Sequence, residues 1–133
     1  MPKEIKGYSG RKPPEPSLQH DDIDVWLRRQ MRDLQDILRT LDEVIRATIP
    51  ELHFAVHRKR AFYGLSDYGW IIELAAYDVS VNVVFLGGAD FRNPPPLGTT
   101  DRTRYVKVTS KTQALEPSLT AWIEQAGRTR GWK

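Results

Sequence analysis

Between Ile23 and Ile45 apolar residues return every three or four positions, and from Leu52 to Leu86 the period falls to two. This switch constrains the fold more than any other feature of the chain. The longer period gives a helix with one apolar stripe, and the shorter gives strands with one apolar face. The stripe of Ile23, Leu27, Met31, Leu34, Leu38, Leu41 and Ile45, widened by Ile37 and Val44, predicts one long helix over about residues 22–47. Asp21, Asp22 and Asp24 crowd its start, where the helix dipole favours negative charge, and Pro50 stops it. Its outer face offers five i,i+4 ion pairs, Asp24–Arg28, Arg29–Asp33, Arg32–Asp36, Arg39–Glu43 and Asp42–Arg46, the pattern of a solvated surface.

Downstream, Leu52–His57 and Ala61–Tyr63 read as two strands, and Trp70–Tyr77 and Val79–Leu86 as an antiparallel hairpin turning at Asp78. In the last of these Val79, Val81, Val83 and Phe85 share one face, with Ser80 and Asn82 on the other. Gly64–Gly69 reads as a hairpin turn. Gly87-Gly88 breaks the sheet, Asn93–Gly98 is a proline-stiffened loop, and Tyr105–Val108 returns as a final strand. A terminal helix over about residues 116–126 has Pro117 in its first turn and Gly127 past its end. Its apolar stripe is Leu115, Leu119, Trp122, Ile123 and Ala126. The expected fold is α+β: a long N-terminal helix, a curved antiparallel sheet of about five strands, and a C-terminal helix packed on one face.

At 133 residues the chain fits one domain, expected over residues 21–127. Residues 1–20, rich in Pro, Gly and charge, read as a flexible basic arm, and residues 128–133 as a basic tail. The net charge of +3 is carried by the ends: residues 1–20 hold +2 and residues 127–133 hold +3, which leaves −2 for the body. That distribution argues against a nucleic-acid-binding face. With no cysteine, disulfides and thiolate zinc sites are excluded. No apolar run reaches the ~18 residues of a membrane span, and the charged opening Met1–Lys6 lacks the apolar stretch of a secretory signal. The expected location is cytoplasmic, with no membrane partner.

Three stretches within residues 48–126 carry a resemblance. Ile49-Pro50-Glu51 leads into a strand and on to Phe62-Tyr63, and Ala75–Val81 forms a central hairpin. Phe85-Leu86-Gly87-Gly88-Ala89-Asp90-Phe91 is followed by Arg102–Val108. In these the chain resembles the YdhG-like family of small bacterial proteins, largely a family of unknown function. Some members are described as frataxin-like iron chaperones, which makes an iron-handling role one expectation. The chain departs from the family pattern where His53 and His57-Arg58-Lys59 replace an acidic residue and a Lys-Trp-Gly-like string.

Candidate sites are few. His53 and His57 have ligand-like spacing, but on a strand four steps of ~3.3 Å set them ~13 Å apart. Bonds of ~2 Å to one ion cannot span that. His20–Asp24 offers oxygens for a hard cation, but acids at a helix start explain it more simply. Trp26, Trp70 and Trp122 lie on apolar stripes and read as core, while Trp132 has no assigned role. No nucleophile elbow, phosphate loop or dinucleotide fingerprint is present, so no catalytic residue, metal ligand or cofactor is assigned. The best constellation is anion-binding: Arg102 and Arg104 on one strand face, Lys107 on the other, and the bare amides of Gly87 and Gly88 nearby. Arg58, Lys59 and Arg60 extend its field, and salt bridges to Glu73 or Asp90 are the competing use of these arginines. The sequence therefore points to a non-enzymatic binding module for a small anionic ligand or a protein partner. Iron handling, or an enzyme without a visible motif, stand as alternatives.

Overall fold

The structure, a computed structural model, describes residues 12–133. It is an α+β fold. Helices α1 (Asp21–Arg28) and α2 (Arg32–Thr48) precede strands β1 (His53–His57), β2 (Arg60–Leu65), β3 (Gly69–Ala76), β4 (Val81–Phe85) and β5 (Arg104–Val108). Two helices follow, α3 (Lys111–Ala114) and α4 (Pro117–Ala126). The strands form one open antiparallel sheet in sequence order, β1 to β5.

The expected continuous helix is two. Arg29–Met31 interrupts it, and Met31, expected on the buried stripe, is 54% exposed. Side-chain amides compete with the helical ladder at the break: Gln30 Nε2 donates to the Trp26 carbonyl at 2.8 Å and Gln35 Nε2 to the Gln30 carbonyl at 2.9 Å. The Trp26 indole donates to the Lys59 carbonyl at 2.9 Å, tying α1 to the β1–β2 turn. Of the five i,i+4 pairs, Asp42–Arg46 closes, at 3.2 Å, and Asp42 lies in the interior and not on the solvated face. Its carboxylate accepts from the Tyr63 hydroxyl at 2.6 Å and lies 2.9 Å from His20 Nε2, while His20 Nδ1 lies 3.1 Å from Asp24. Burial pushes the Tyr63 hydroxyl well above its usual range, and the neighbouring Asp42 charge adds to this.

Strand alternation divides the sheet into two faces. Tyr63, Ile72, Leu74, Val81, Val83 and Phe85 meet Ile23, Leu27, Leu38, Leu41, Ile45, Leu119 and Ile123 in the main core under the helices. Val79, expected on that face, lies in the β3–β4 turn and is exposed, as is Leu115 between α3 and α4. The pairings Tyr63–Ile72 and Gly64–Trp70 leave Ile71 as an extra residue. This bulge sends Ile71 and Ile72 into the main core and Trp70 to the opposite face. The Arg58-Lys59 turn has positive φ at both residues, 52° and 66°, the handedness of a two-residue hairpin.

The opposite face has a core of its own: Ala55, Phe62, Trp70, Val84 and Leu86, closed by Trp132. The tail is thus part of the folded unit. Trp70 and Trp132 exchange two backbone hydrogen bonds, each 2.8 Å, and Gly131 N donates to the Tyr68 carbonyl at 2.9 Å. Glycine is required at Gly131, where a Cβ would collide with the Trp70 carbonyl. Of the expected flexible arm, residues 1–11 lie outside the described residues. The rest touches the body, since Ser17 exchanges 2.9 and 2.7 Å hydrogen bonds with Phe54 on the β1 edge. Leu97 does the same for Tyr105 on the β5 edge, so both sheet edges are locally paired. Among the described residues no helix is long and apolar enough to cross a membrane. Trp132→Ala is expected to lower the unfolding free energy by about 3 kcal/mol, as for other buried aromatic truncations. Urea denaturation checks this, and an unchanged midpoint would show that the tail contributes nothing to the core.

Candidate functional site

The second face of the sheet is apolar at one end and polar at the other. Trp132 closes the apolar end. The polar end carries Arg60 from β2, Glu73 from β3, and Asn82 and Val84 from β4. With Tyr105 and the Gly98–Thr103 loop these line a pocket of about 520 Å³, within the ~300–1,000 Å³ range of small-molecule sites. Strand pairing sets the floor, because Glu73 stands opposite Val84, and Val84 opposite Tyr105. Asn82 stands opposite Lys107.

Glu73 is fully buried, and Arg60 Nη1 donates to its Oε1 at 2.6 Å. A buried carboxylate loses several kcal/mol of hydration, which a close, hydrogen-bonded cation offsets. The Arg60 side chain is 44% exposed and lines the pocket while it serves Glu73. Arg60 Nη2 lies 3.5 Å from the Tyr77 hydroxyl, and Lys107 Nζ lies 5.6 Å from the Tyr77 ring centroid, within cation–π range. Lys107 Nζ also lies 3.4 Å from Asn82 Oδ1. Two cations therefore flank one tyrosine at the mouth of the pocket.

The loop forming the opposite wall is held by Arg104, whose Nη1 donates to the Thr100 carbonyl at 2.6 Å and the Thr103 carbonyl at 2.7 Å. Gly98, with φ 106°, turns the chain into this loop. Thr99, Thr100 and Thr103 are placed along the pocket.

The structure does not assemble the anion clamp expected from Arg102, Arg104, Lys107, Gly87 and Gly88. Arg102 precedes β5, is buried, and forms a two-nitrogen ion pair with Asp90 at 3.1 and 2.7 Å. Its Nη2 also donates to the Arg130 carbonyl at 2.9 Å, so it fastens the C-terminal tail. Arg104 is spent on loop carbonyls. The glycine pair admits the protein's own chain and not a ligand: a Cβ on Gly87 would meet the Arg130 carbonyl, and one on Gly88 the Arg104 side chain. None of the five lines the pocket, and Lys107 lies beside it, near Asn82 and Tyr77. Of the basic run before β2, Arg58 and Lys59 lie exposed in the turn and Arg60 enters the site.

The sequence reading missed Glu73 and Asn82 as floor residues. The available signal was a lone acid inside an otherwise apolar strand and an amide on the polar side of its hairpin partner. His53 and His57 share the second face but lie against aromatic rings: His53 is 4.8 Å from Trp70, and His57 is 6.1 Å from Phe62, between ring centroids. Among the described residues no group of three or more His, Asp or Glu side chains is placed to hold a metal ion. Compared with known proteins, the chain matches no family model, no curated protein and no solved structure.

Burial lowers the His53 pKa below its ordinary 6.5. Above that value both folded and unfolded chains hold the ring neutral. As pH falls below it, the unfolded chain takes a proton that the folded chain resists, so stability falls with pH. His53→Gln removes this contribution. The wild-type midpoint is expected to drop further than the variant's between pH 7.5 and 5 in a thermal melt series, and parallel curves would contradict the assignment.

Proposed function

We propose that the chain is a YdhG-like binding module without a catalytic role, and that its ligand is a small organic anion seated on the polar end of the second sheet face. The carrying observation is the pair of cations, Arg60 and Lys107, on either side of Tyr77 at the mouth of a pocket of about 520 Å³. Arginine offers a planar fork to a carboxylate or phosphate, and lysine a compact charge on a mobile stem. Glu73 holds the arginine from below, which fixes where its charge lies. The family assignment is supported by the order of elements, in which the β3–β4 hairpin leads to the glycine pair and then to the basic strand. The iron-handling alternative draws no support from α1 and α2, where Asp24 and Asp42 are engaged by His20, Arg46 and Tyr63.

Lys107→Glu tests the reading, because Lys107 is exposed and its replacement leaves the buried Arg60–Glu73 pair in place. Loss of a charge-assisted contact is expected to weaken anion binding by roughly 1.5–3 kcal/mol, while stability changes by about 0.5 kcal/mol. Thermal-shift series with phosphate, citrate and succinate are expected to stabilise the wild type and not the variant. Equal responses in both proteins, or none in the wild type, would overturn it.

A further inference from the structure

A second groove, of about 580 Å³, runs between α4 and the loop at Arg92 and Asn93, and it shares no residue with the Arg60 pocket. Side chains of α4 hold this loop in place. Gln125 Oε1 accepts from Arg92 N at 2.7 Å, Gln125 Nε2 donates to the Arg92 carbonyl at 3.4 Å, and the Trp122 indole donates to the Asn93 carbonyl at 2.8 Å. Asn93 has φ 52°, a left-handed turn that asparagine tolerates. Trp122 is fixed by its bond to this loop and by Phe85, whose ring centroid lies 6.3 Å from its own. It is partly buried, and it lines the groove. Trp122, Gln125 and Arg128 fall three residues apart, so they follow one face of α4 and the turn that extends it. Arg92 enters from the loop, and Glu124 lines the same groove. Arg92, Arg128 and Glu124 are exposed, and among the described residues none of these three side chains has a hydrogen-bond or ion-pair partner.

A cation at a helix C-terminus is favourable in itself, which accounts for Arg128 but not for Arg92. Two guanidiniums beside a fixed indole make a recognition surface. Arginine presents a planar fork to a carboxylate, and the indole offers apolar contact and ring-to-ring packing. Ala121, which also lines the groove, adds a small apolar surface and no bulk. The charge of the groove narrows the ligand class. Two arginines and one glutamate leave one net positive charge, which a single carboxylate neutralises. A doubly charged phosphate would leave excess negative charge beside Glu124, and an uncharged ring would leave both arginines unmatched. An acid without a ring would leave Trp122 unused. From this, and independently of the Arg60 pocket, we infer that the groove is a second binding site, for a flat aromatic monocarboxylate. Arg92 and Arg128 hold its acid group, and its ring rests against Trp122 and Ala121.

Calorimetric titration of the full chain tests this, with benzoate, indole-3-acetate, phenyl phosphate, acetate and indole as probes. At least one of benzoate and indole-3-acetate is expected to bind roughly tenfold more tightly than acetate and indole, each of which lacks one half of the recognition. Phenyl phosphate is expected to bind no more tightly than benzoate. Arg92→Gln/Arg128→Gln removes two charges from exposed positions and is expected to weaken the aromatic acid roughly tenfold. Ala121→Glu keeps both arginines, adds a second carboxylate to the groove, and is expected to weaken it as well. Lys107→Glu, beside the other pocket, is expected to leave it unchanged. Circular dichroism verifies the fold of each variant. If acetate or indole binds as tightly as both aromatic acids, or phenyl phosphate binds more tightly than benzoate, the ligand class is wrong. If either groove variant binds as the wild type does, or Lys107→Glu abolishes binding, the site is wrong. If neither aromatic acid binds the wild type, the inference falls entirely.

Discussion

A fully buried carboxylate in the middle strand organises one side of this molecule. Glu73 sits between Ile72 and Leu74, whose side chains enter the main core, and strand alternation sends its own side chain to the opposite face. An uncompensated charge there would be untenable, so Arg60 must lie across it, which requires the β2–β3 register that the structure shows. The pair in turn keeps its end of the face polar. Helices pack over the first face, whereas on the second, among the described residues, the apolar lid serves the Phe62–Trp70–Leu86 end. Trp132 takes that end and stops. The pocket formed by the described residues lies at the other end.

The tail and the loop follow from the same division. Arg102 binds Asp90 on one side and the Arg130 carbonyl on the other, which places Trp132 over the apolar end. Arg104, two residues on, binds the Thr100 and Thr103 carbonyls and sets the wall over the polar end. Two arginines that look alike in the sequence thus build the two halves of one face. Neither lines the pocket itself, where Arg60 is the cation and Lys107 lies nearby.

The α+β class, the five strands and the C-terminal helix were legible because period and breakers agree: β-branched alternation, Gly-Gly, and Pro117 with Gly127. The interruption at Arg29–Met31 was not, because the apolar spacing runs through it unbroken and only the Gln30 and Gln35 amides reveal the competition. Helix α3 escaped notice although Ser110 and Gln113 carry a capping signature, with Ser110 Oγ accepting from Gln113 N at 3.1 Å. The tail escaped because four of its last six residues are charged or polar, while Gly131 and Trp132, which do the packing, are both compatible with a disordered end. Much of the site was illegible for a different reason. Glu73, Asn82, Arg60 and Tyr105 come from four strands, and only the register brings them together. Residues two apart on one strand, such as Arg102 and Arg104, are the pairs a sequence displays most readily, and here both are used to hold the protein's own backbone.

The account places recognition on the polar end of the second sheet face and assigns the Gly87–Gly88 turn a packing role. Backbone amide shift mapping by ¹H–¹⁵N correlation spectra, during titration with citrate, tests that placement most directly. The account predicts saturable shifts grouped at Arg60, Glu73, Tyr77, Asn82, Thr99–Tyr105 and Lys107, with Gly87 and Gly88 unmoved. Shifts centred on Gly87 and Gly88, or spread over the helices while the pocket stays silent, would contradict it.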